Sequence, residues 1–106
     1  MKKSNRAVPA KLAVGSDERR PVTDFVVSWL KAKGFAVELF GALKGKKLSW
    51  VEVGQEVAEK VGGGDCDEGI LFCWTGTGVS IAANKIPGLR AALCFDAATA
   101  SGARRW

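Results

Sequence analysis

The 106-residue sequence contains no histidine. This excludes a Cys/His zinc centre and removes the side chain that most often moves protons near neutral pH. Proton chemistry is left to Cys, Asp, Glu, Lys or water. Cysteine is scarce too: Cys66, Cys73 and Cys94 form an odd, irregularly spaced set. That argues against a disulfide framework and for a reducing cytoplasm. Three scattered cysteines also make a poor structural zinc set, so neither a metal nor another cofactor is expected. No apolar run approaches the length of a membrane span. Lys2, Lys3 and Arg6 are not followed by the apolar core of a secretory signal.

What is present reads as one ordinary globular domain, with 47% hydrophobic and 25% charged residues. Residues 1–10 form a basic lead-in, and residues 11–106 form the domain. The net charge is +5, carried in part by Lys44, Lys46, Lys47, Arg104 and Arg105. A basic balance favours anionic partners, phosphorylated metabolites or nucleic acid, unless it is only a solvated surface. Trp29, Trp50, Trp74 and Trp106 are too dispersed to interleave with basic residues as single-strand binders require. No nucleic-acid or membrane partner is expected.

The apolar pattern predicts alternating strands and helices. Lys11 to Gly15 reads as a buried strand with Ser16 and Asp17 at its end. Pro21 suits a first helical turn, and Val22, Phe25, Val26, Trp29 and Leu30 recur at helical spacing up to Gly34. Phe35 to Phe40 reads as a strand, followed by Gly41 and a basic loop over residues 42–47. Ser49 and Glu52 form a capping box for a helix whose buried face carries Trp50, Val53, Val57 and Val61, and Gly62 to Gly64 end it. After a polar turn at residues 65–68, Ile70 to Cys73 reads as a strand. Val79 to Lys85 reads as a short helix, Leu89 to Phe95 as a fourth strand, and Asp96 to Trp106 as a last helix. Such alternation implies a three-layer, Rossmann-like α/β/α domain with a parallel sheet of four strands. The edge left after the fourth strand calls for a fifth strand or a partner chain.

Ligands of such sheets bind beyond the carboxyl ends of the strands. Three polar groups fall there: Ser16/Asp17, Cys73 to Gly78, and Asp96. Cys73 is either a core thiol or, at a strand end before a helix N-terminus, a reactive one. Cys94 reads as core and Cys66 as incidental. Thr75-Gly76-Thr77-Gly78 is either a tight connecting loop or a cradle that brings backbone N–H groups to an anion. Gly76-Thr77-Gly78 with Asp96 twenty residues on also suggests a dinucleotide fingerprint, but Ile81 stands at the third glycine position and the motif follows the wrong strand. Asp17 either contacts a substrate hydroxyl or caps the first helix.

Gly69-Ile70-Leu71-Phe72-Cys73-Trp74-Thr75-Gly76-Thr77-Gly78, then Ser80 to Lys85 and Pro87 to Cys94, resemble type B ribose-5-phosphate isomerase and galactose-6-phosphate isomerase. Gly15-Ser16-Asp17 fits the same pattern, and the resemblance covers residues 11–106. It implies metal-independent aldose–ketose isomerisation of a sugar phosphate through an enediolate. It places Cys73 at the general base and Thr75 at an assisting hydroxyl. Gly76, Thr77 and Gly78 fall at the anion loop, Asp17 at a substrate hydroxyl contact, and Arg104 near the phosphate. Sites in this family draw on two subunits, which implies a homodimer or higher homo-oligomer.

The departures from the family pattern are informative. Glu18 stands where a histidine often follows Ser-Asp. Phe95 stands where many members carry the ring-opening histidine. Trp74 replaces a usual glycine and narrows the pocket. The family also continues with a fifth strand and a helix bearing phosphate-binding arginines. The missing ring-opening histidine points to a short, open-chain sugar phosphate. The missing last strand and arginines give the alternative, a catalytically impaired family remnant or a sugar-phosphate-binding protein. Nucleic-acid binding, a weaker third reading, predicts strongly salt-dependent association.

Overall fold

A computed structural model describes residues 10–106. The lead-in expected before Ala10 lies outside the described residues. Three strands, β1 (Lys11–Ser16), β2 (Ala36–Gly41) and β3 (Glu68–Phe72), form one parallel sheet in the order β2-β1-β3. Four α-helices accompany them: α1 (Pro21–Ala32), α2 (Trp50–Gly62), α3 (Thr77–Asn84) and α4 (Ala97–Arg105). This is a Rossmann-like α/β arrangement with parallel strands. No helix among the described residues is long and apolar enough to cross a membrane.

The central strand is covered on both faces, as a parallel sheet requires. Val14 pairs in register with Leu39 on one side and Ile70 on the other. Leu12 and Val14 point to one face, where they pack with Leu30 of α1, and Val26, Val27, Ile70 and Phe72 gather around them. Ala13 belongs to the opposite cluster with Phe40, Val53, Val57 and Cys66. Gly15 lets α2 press onto β1, since a Cβ there would lie 2.7 Å from Val53 Cγ1 and 2.8 Å from Val57 Cγ2.

Local chemistry sets the helix starts. Pro21 opens α1, and the Thr23 hydroxyl accepts the Arg20 N–H at 3.0 Å. At α2 the expected capping box forms: the Glu52 N–H donates to Ser49 Oγ (3.2 Å), and the Ser49 N–H donates to Glu52 Oε1 (2.9 Å).

Several sequence expectations are corrected. Leu89–Phe95, expected as a fourth strand, joins no ladder, so the described sheet has three strands. The backbone of Ala91 is bonded instead to the Asn84 side chain, through its N–H and its C=O, both at 2.9 Å. The end of the segment finds no covering layer: Phe95 is 82% exposed. Cys94, expected in the core, is therefore exposed, whereas Cys66, taken as incidental, is buried. On α1 only Leu30 of the expected apolar face is buried; Val22, Phe25 and Trp29 are exposed.

Candidate active site

The carboxyl ends of β1 and β3 lie side by side, with Ser16 opposite Phe72. The two residues that follow them, Asp17 and Cys73, open into the same cleft. Two adjoining cavities occupy it. One of about 260 Å³ is lined by Ser16, Asp17, Glu18, Arg20, Phe72, Cys73 and Trp74, with Val22 and Thr23 at its side. The other, of about 320 Å³, is lined by Asp17, Trp50, Cys73, Trp74, Thr75 and Gly78. Asp17, Cys73 and Trp74 are common to both.

The β1–α1 loop is held by a buried hydroxyl. Ser16 is 3% exposed; its Oγ donates to the Glu18 carbonyl and accepts the Glu18 N–H. This local turn holds the intervening Asp17 at the cleft. Arg20 occupies the N-cap position of α1, so the helix does not use Asp17 as its cap. Glu18 lines the first cavity from an exposed position. Its Oε1 accepts from Arg20 Nε (3.1 Å) and Nη2 (2.9 Å), and from the indole Nε1 of Trp74 (3.2 Å). The Arg20 bond, then the Trp74 bond, holds this carboxyl below its ordinary range. Glu18 is therefore an anionic acceptor near neutral pH, not a proton donor.

Beyond Cys73 the chain turns through Thr75 and Gly76 into α3. Gly76 caps the helix with φ 79°, a left-handed conformation that favours glycine. The Thr77 N–H donates to Thr75 Oγ1 at 3.2 Å, which pins the hydroxyl while its proton stays available to a ligand. Gly78 and Val79 sit in the first turn of α3, where N–H groups have no intrahelical acceptor and favour negative charge. A half-buried thiol, a hydroxyl, a carboxylate and free backbone donors thus meet at one end of the sheet. The basic β2–α2 loop, with Lys44, Lys46 and Lys47, leaves the sheet at this same end.

Two residues singled out by sequence are placed elsewhere. Arg104 Nη1 pairs with Glu68 Oε2 at 2.6 Å. Glu68 opens β3, about 16 Å along the strand from Cys73. The Arg104 guanidinium therefore lies at the other end of the sheet. Asp96 caps α4 by accepting the Thr99 N–H at 2.7 Å and lines neither cavity. The walls contributed by Trp50 and Arg20 were missed by sequence reading. Trp50 sits at an apolar helix position, and nothing local to Arg20 marks it as facing a cleft. Among the described residues, no group of three or more Cys, Asp and Glu side chains is placed to share a metal ion.

A parallel sheet with a thiol and a glycine loop at the carboxyl end of one strand, and a carboxylate at the next, defines a Rossmann-like α/β domain. The chain belongs to the Ribose/Galactose Isomerase family, whose sequence profile matches residues 12–106. It is 38% identical over 96 residues to ribose-5-P isomerase B of Listeria innocua, an alignment that takes in 90% of this chain and 65% of that protein. It is 32% identical over 96 residues to D-erythrulose-4-phosphate isomerase of Pectobacterium atrosepticum, covering 89% and 63% of the two chains. The structure of Clostridium thermocellum ribose-5-phosphate isomerase B superposes with a TM-score of 0.80 at 38% identity, over 89% of this chain and 64% of that one. The chain spans less than two thirds of the length of each of these proteins.

Proposed function

We propose that the protein interconverts an aldose phosphate and its ketose phosphate, without a metal, using Cys73 as the base. The Cys73 thiolate takes the proton from the carbon beside the substrate carbonyl. The C–H electron pair becomes the carbon–carbon double bond of an enediolate, and the carbonyl pair moves onto oxygen. That oxyanion is received by the first-turn N–H groups of Gly78 and Val79, while the Thr75 hydroxyl relays a proton between the two substrate oxygens. Return of the proton from the Cys73 thiol to the neighbouring carbon completes the exchange. Gly76 and Thr77 shape the anion loop, and Asp17 accepts from a substrate hydroxyl. The observation that carries this reading is the meeting of Asp17, Cys73, Thr75 and Gly78 in one cleft.

In this reading the protein works in the cytoplasm as a homodimer or higher homo-oligomer. Arg104 reaches the phosphate of the site in the second protomer, which accounts for its distance from its own Cys73. The substrate is a short, open-chain sugar phosphate. A tetrose 4-phosphate cannot close a furanose ring, because its O4 carries the phosphate. It needs no ring-opening residue, and Phe95 supplies none. The name of the Pectobacterium relative, a D-erythrulose-4-phosphate isomerase, supports this choice.

The test is deuterium wash-in. The protein is incubated in D₂O with four-, five- and six-carbon sugar phosphates and followed by proton NMR. Deuterium should enter at the carbon beside the carbonyl, fastest for the four-carbon substrate, and Cys73→Ala should lower the rate by about 10²- to 10⁴-fold. Faster turnover of ribose 5-phosphate would overturn the substrate assignment. A folded protein that binds these compounds without exchange would instead be a binding protein or an impaired family member.

A further inference from the structure

Two departures from the family's residue pattern, Glu18 and Trp74, lie 56 positions apart and touch: the indole Nε1 donates to Glu18 Oε1 at 3.2 Å. The same oxygen also accepts from Arg20 Nε and Nη2. The loops after β1 and β3 are thus tied together across the mouth of the cleft. Trp74 is 83% exposed yet lines both cavities. An exposed indole with uncovered faces and a satisfied N–H is a ready wall for a small ligand. Asp17 and Cys73 line both cavities with it; beyond these, one cavity is lined by Trp50 and, around the start of α3, by Thr75 and Gly78, and the other by Ser16, Arg20 and Phe72 among others. Each chamber, at about 260 or 320 Å³, lies at or below the small end of ligand cavities.

We propose that Trp74, latched to Glu18, is a specificity-determining partition that confines the substrate to the Thr75–Gly78 chamber and thereby sets its carbon length. The inference rests on reading the cleft as a sugar-phosphate site. A four-carbon chain with its reacting carbons over Cys73 stays on one side of the indole. A five- or six-carbon chain must pass it into the Arg20 chamber. Glu18 acts through Trp74 and is a positioning residue. Its carboxylate is anionic, so it holds the indole N–H without consuming a proton from the reaction.

The test separates length selection from catalysis by using acyclic polyol phosphates, which lack a carbonyl and cannot react. Erythritol 4-phosphate, ribitol 5-phosphate and glucitol 6-phosphate are titrated calorimetrically into the wild-type chain, W74G, E18A and E18Q. The wild type should bind the four-carbon compound at least about tenfold more tightly than the six-carbon one. W74G should remove that preference by strengthening six-carbon binding. E18A should weaken it, while E18Q, which keeps an acceptor oxygen for the indole, should restore it. The Trp74 indole resonance in ¹⁵N spectra should move in E18A and far less in E18Q. An unchanged length preference in W74G, no preference in the wild type, or no binding of any polyol overturns the proposal. So does an indole resonance that ignores E18A. A wild type that selects by length but washes in no deuterium removes the isomerase reading and leaves the partition standing.

Discussion

Gly78 lies flat against the indole of Trp50: a Cβ placed on it would come within 2.9 Å of Trp50 Cε3 and 3.0 Å of Cζ3. The contact joins the first turns of α2 and α3 and makes one wall of the cleft. Two effects oppose each other in Gly78→Ala. Alanine favours the helix by up to about 1 kcal/mol over glycine, but overpacking against a rigid ring costs about 1–3 kcal/mol. The clash should win, with a net loss of about 1 kcal/mol in urea unfolding. The displaced Trp50 should show red-shifted emission, because its ring turns further into water. A variant as stable as the wild type, with unshifted emission, would show that Trp50 yields freely and that the wall is soft.

Asn84 acts as a substitute strand partner. Its Nδ2 donates to the carbonyls of Ser80 (3.0 Å) and Ala91 (2.9 Å), and its Oδ1 accepts the Ala91 N–H. Asn84→Ala removes all three bonds and should lower stability by about 1–2 kcal/mol. The sharper readout is local. Exchange of the Ala91 amide should quicken by about tenfold or more as residues 89–95 come free of α3. Asn84→Asp keeps the acceptor oxygen and should fall between. Unchanged Ala91 protection in Asn84→Ala would mean that the segment is held by something other than this side chain.

The contrast between Ser49 and Leu93 shows how far the fold was legible. Ser49 and Glu52 contact each other within one turn, so their spacing alone specified where α2 begins. Pro21 and the run ending at Cys73 likewise located α1 and β3. Leu89 to Phe95 carries an apolar pattern that suits a strand, but a strand also needs a paired edge and a covering layer. Leu93 has neither and is 40% exposed. Helix α1 is apolar around most of its circumference, so periodicity could not say that Leu30 faces inward and Phe25 outward. Cys66 sits among Asp65, Asp67 and Glu68, a polar context, yet its N–H bonds back to the Lys60 carbonyl and its side chain enters the α2-side core. In the cleft, Asp17 and Cys73 were legible because strand ends of a parallel sheet converge. The Glu18–Trp74 contact was not, because it depends on which loops become neighbours.

The three thiols should report three environments. Cys94 is exposed, Cys73 half-buried at the cleft and Cys66 buried. Burial first, and then the nearby charge of Glu38, pushes the Cys66 thiol above its ordinary range, which keeps it protonated and unreactive near neutral pH. Treatment of the native chain with a thiol-reactive disulfide should label Cys94 first and Cys73 next. Cys66 should be labelled only as denaturant opens the fold. A stoichiometric excess of a bound sugar phosphate should slow labelling at Cys73 and leave Cys94 unchanged. Rapid native labelling of Cys66, mapped by mass spectrometry, would contradict the packing of this thiol against Val57 and Phe40.

Asp96 gives α4 a pH dependence whose sign follows from its bonds. Its Oδ1 accepts the Thr99 N–H, and this hydrogen bonding holds the carboxyl below its ordinary value of 3.8. The folded-state value lies under the unfolded one, so the stabilising contribution is complete above the ordinary value. It is lost as pH falls through the depressed one. The Thr99 amide resonance should therefore stay constant through neutral and mildly acidic pH and titrate only below pH 3.8, with fraying of the first turn of α4. Asp96→Asn keeps a neutral capping oxygen and should flatten this titration while preserving the turn. Asp96→Ala should fray it at every pH. If Thr99 titrates at or above the ordinary carboxylate value, the cap does not favour the ionised form, and the first turn of α4 is held by its backbone alone.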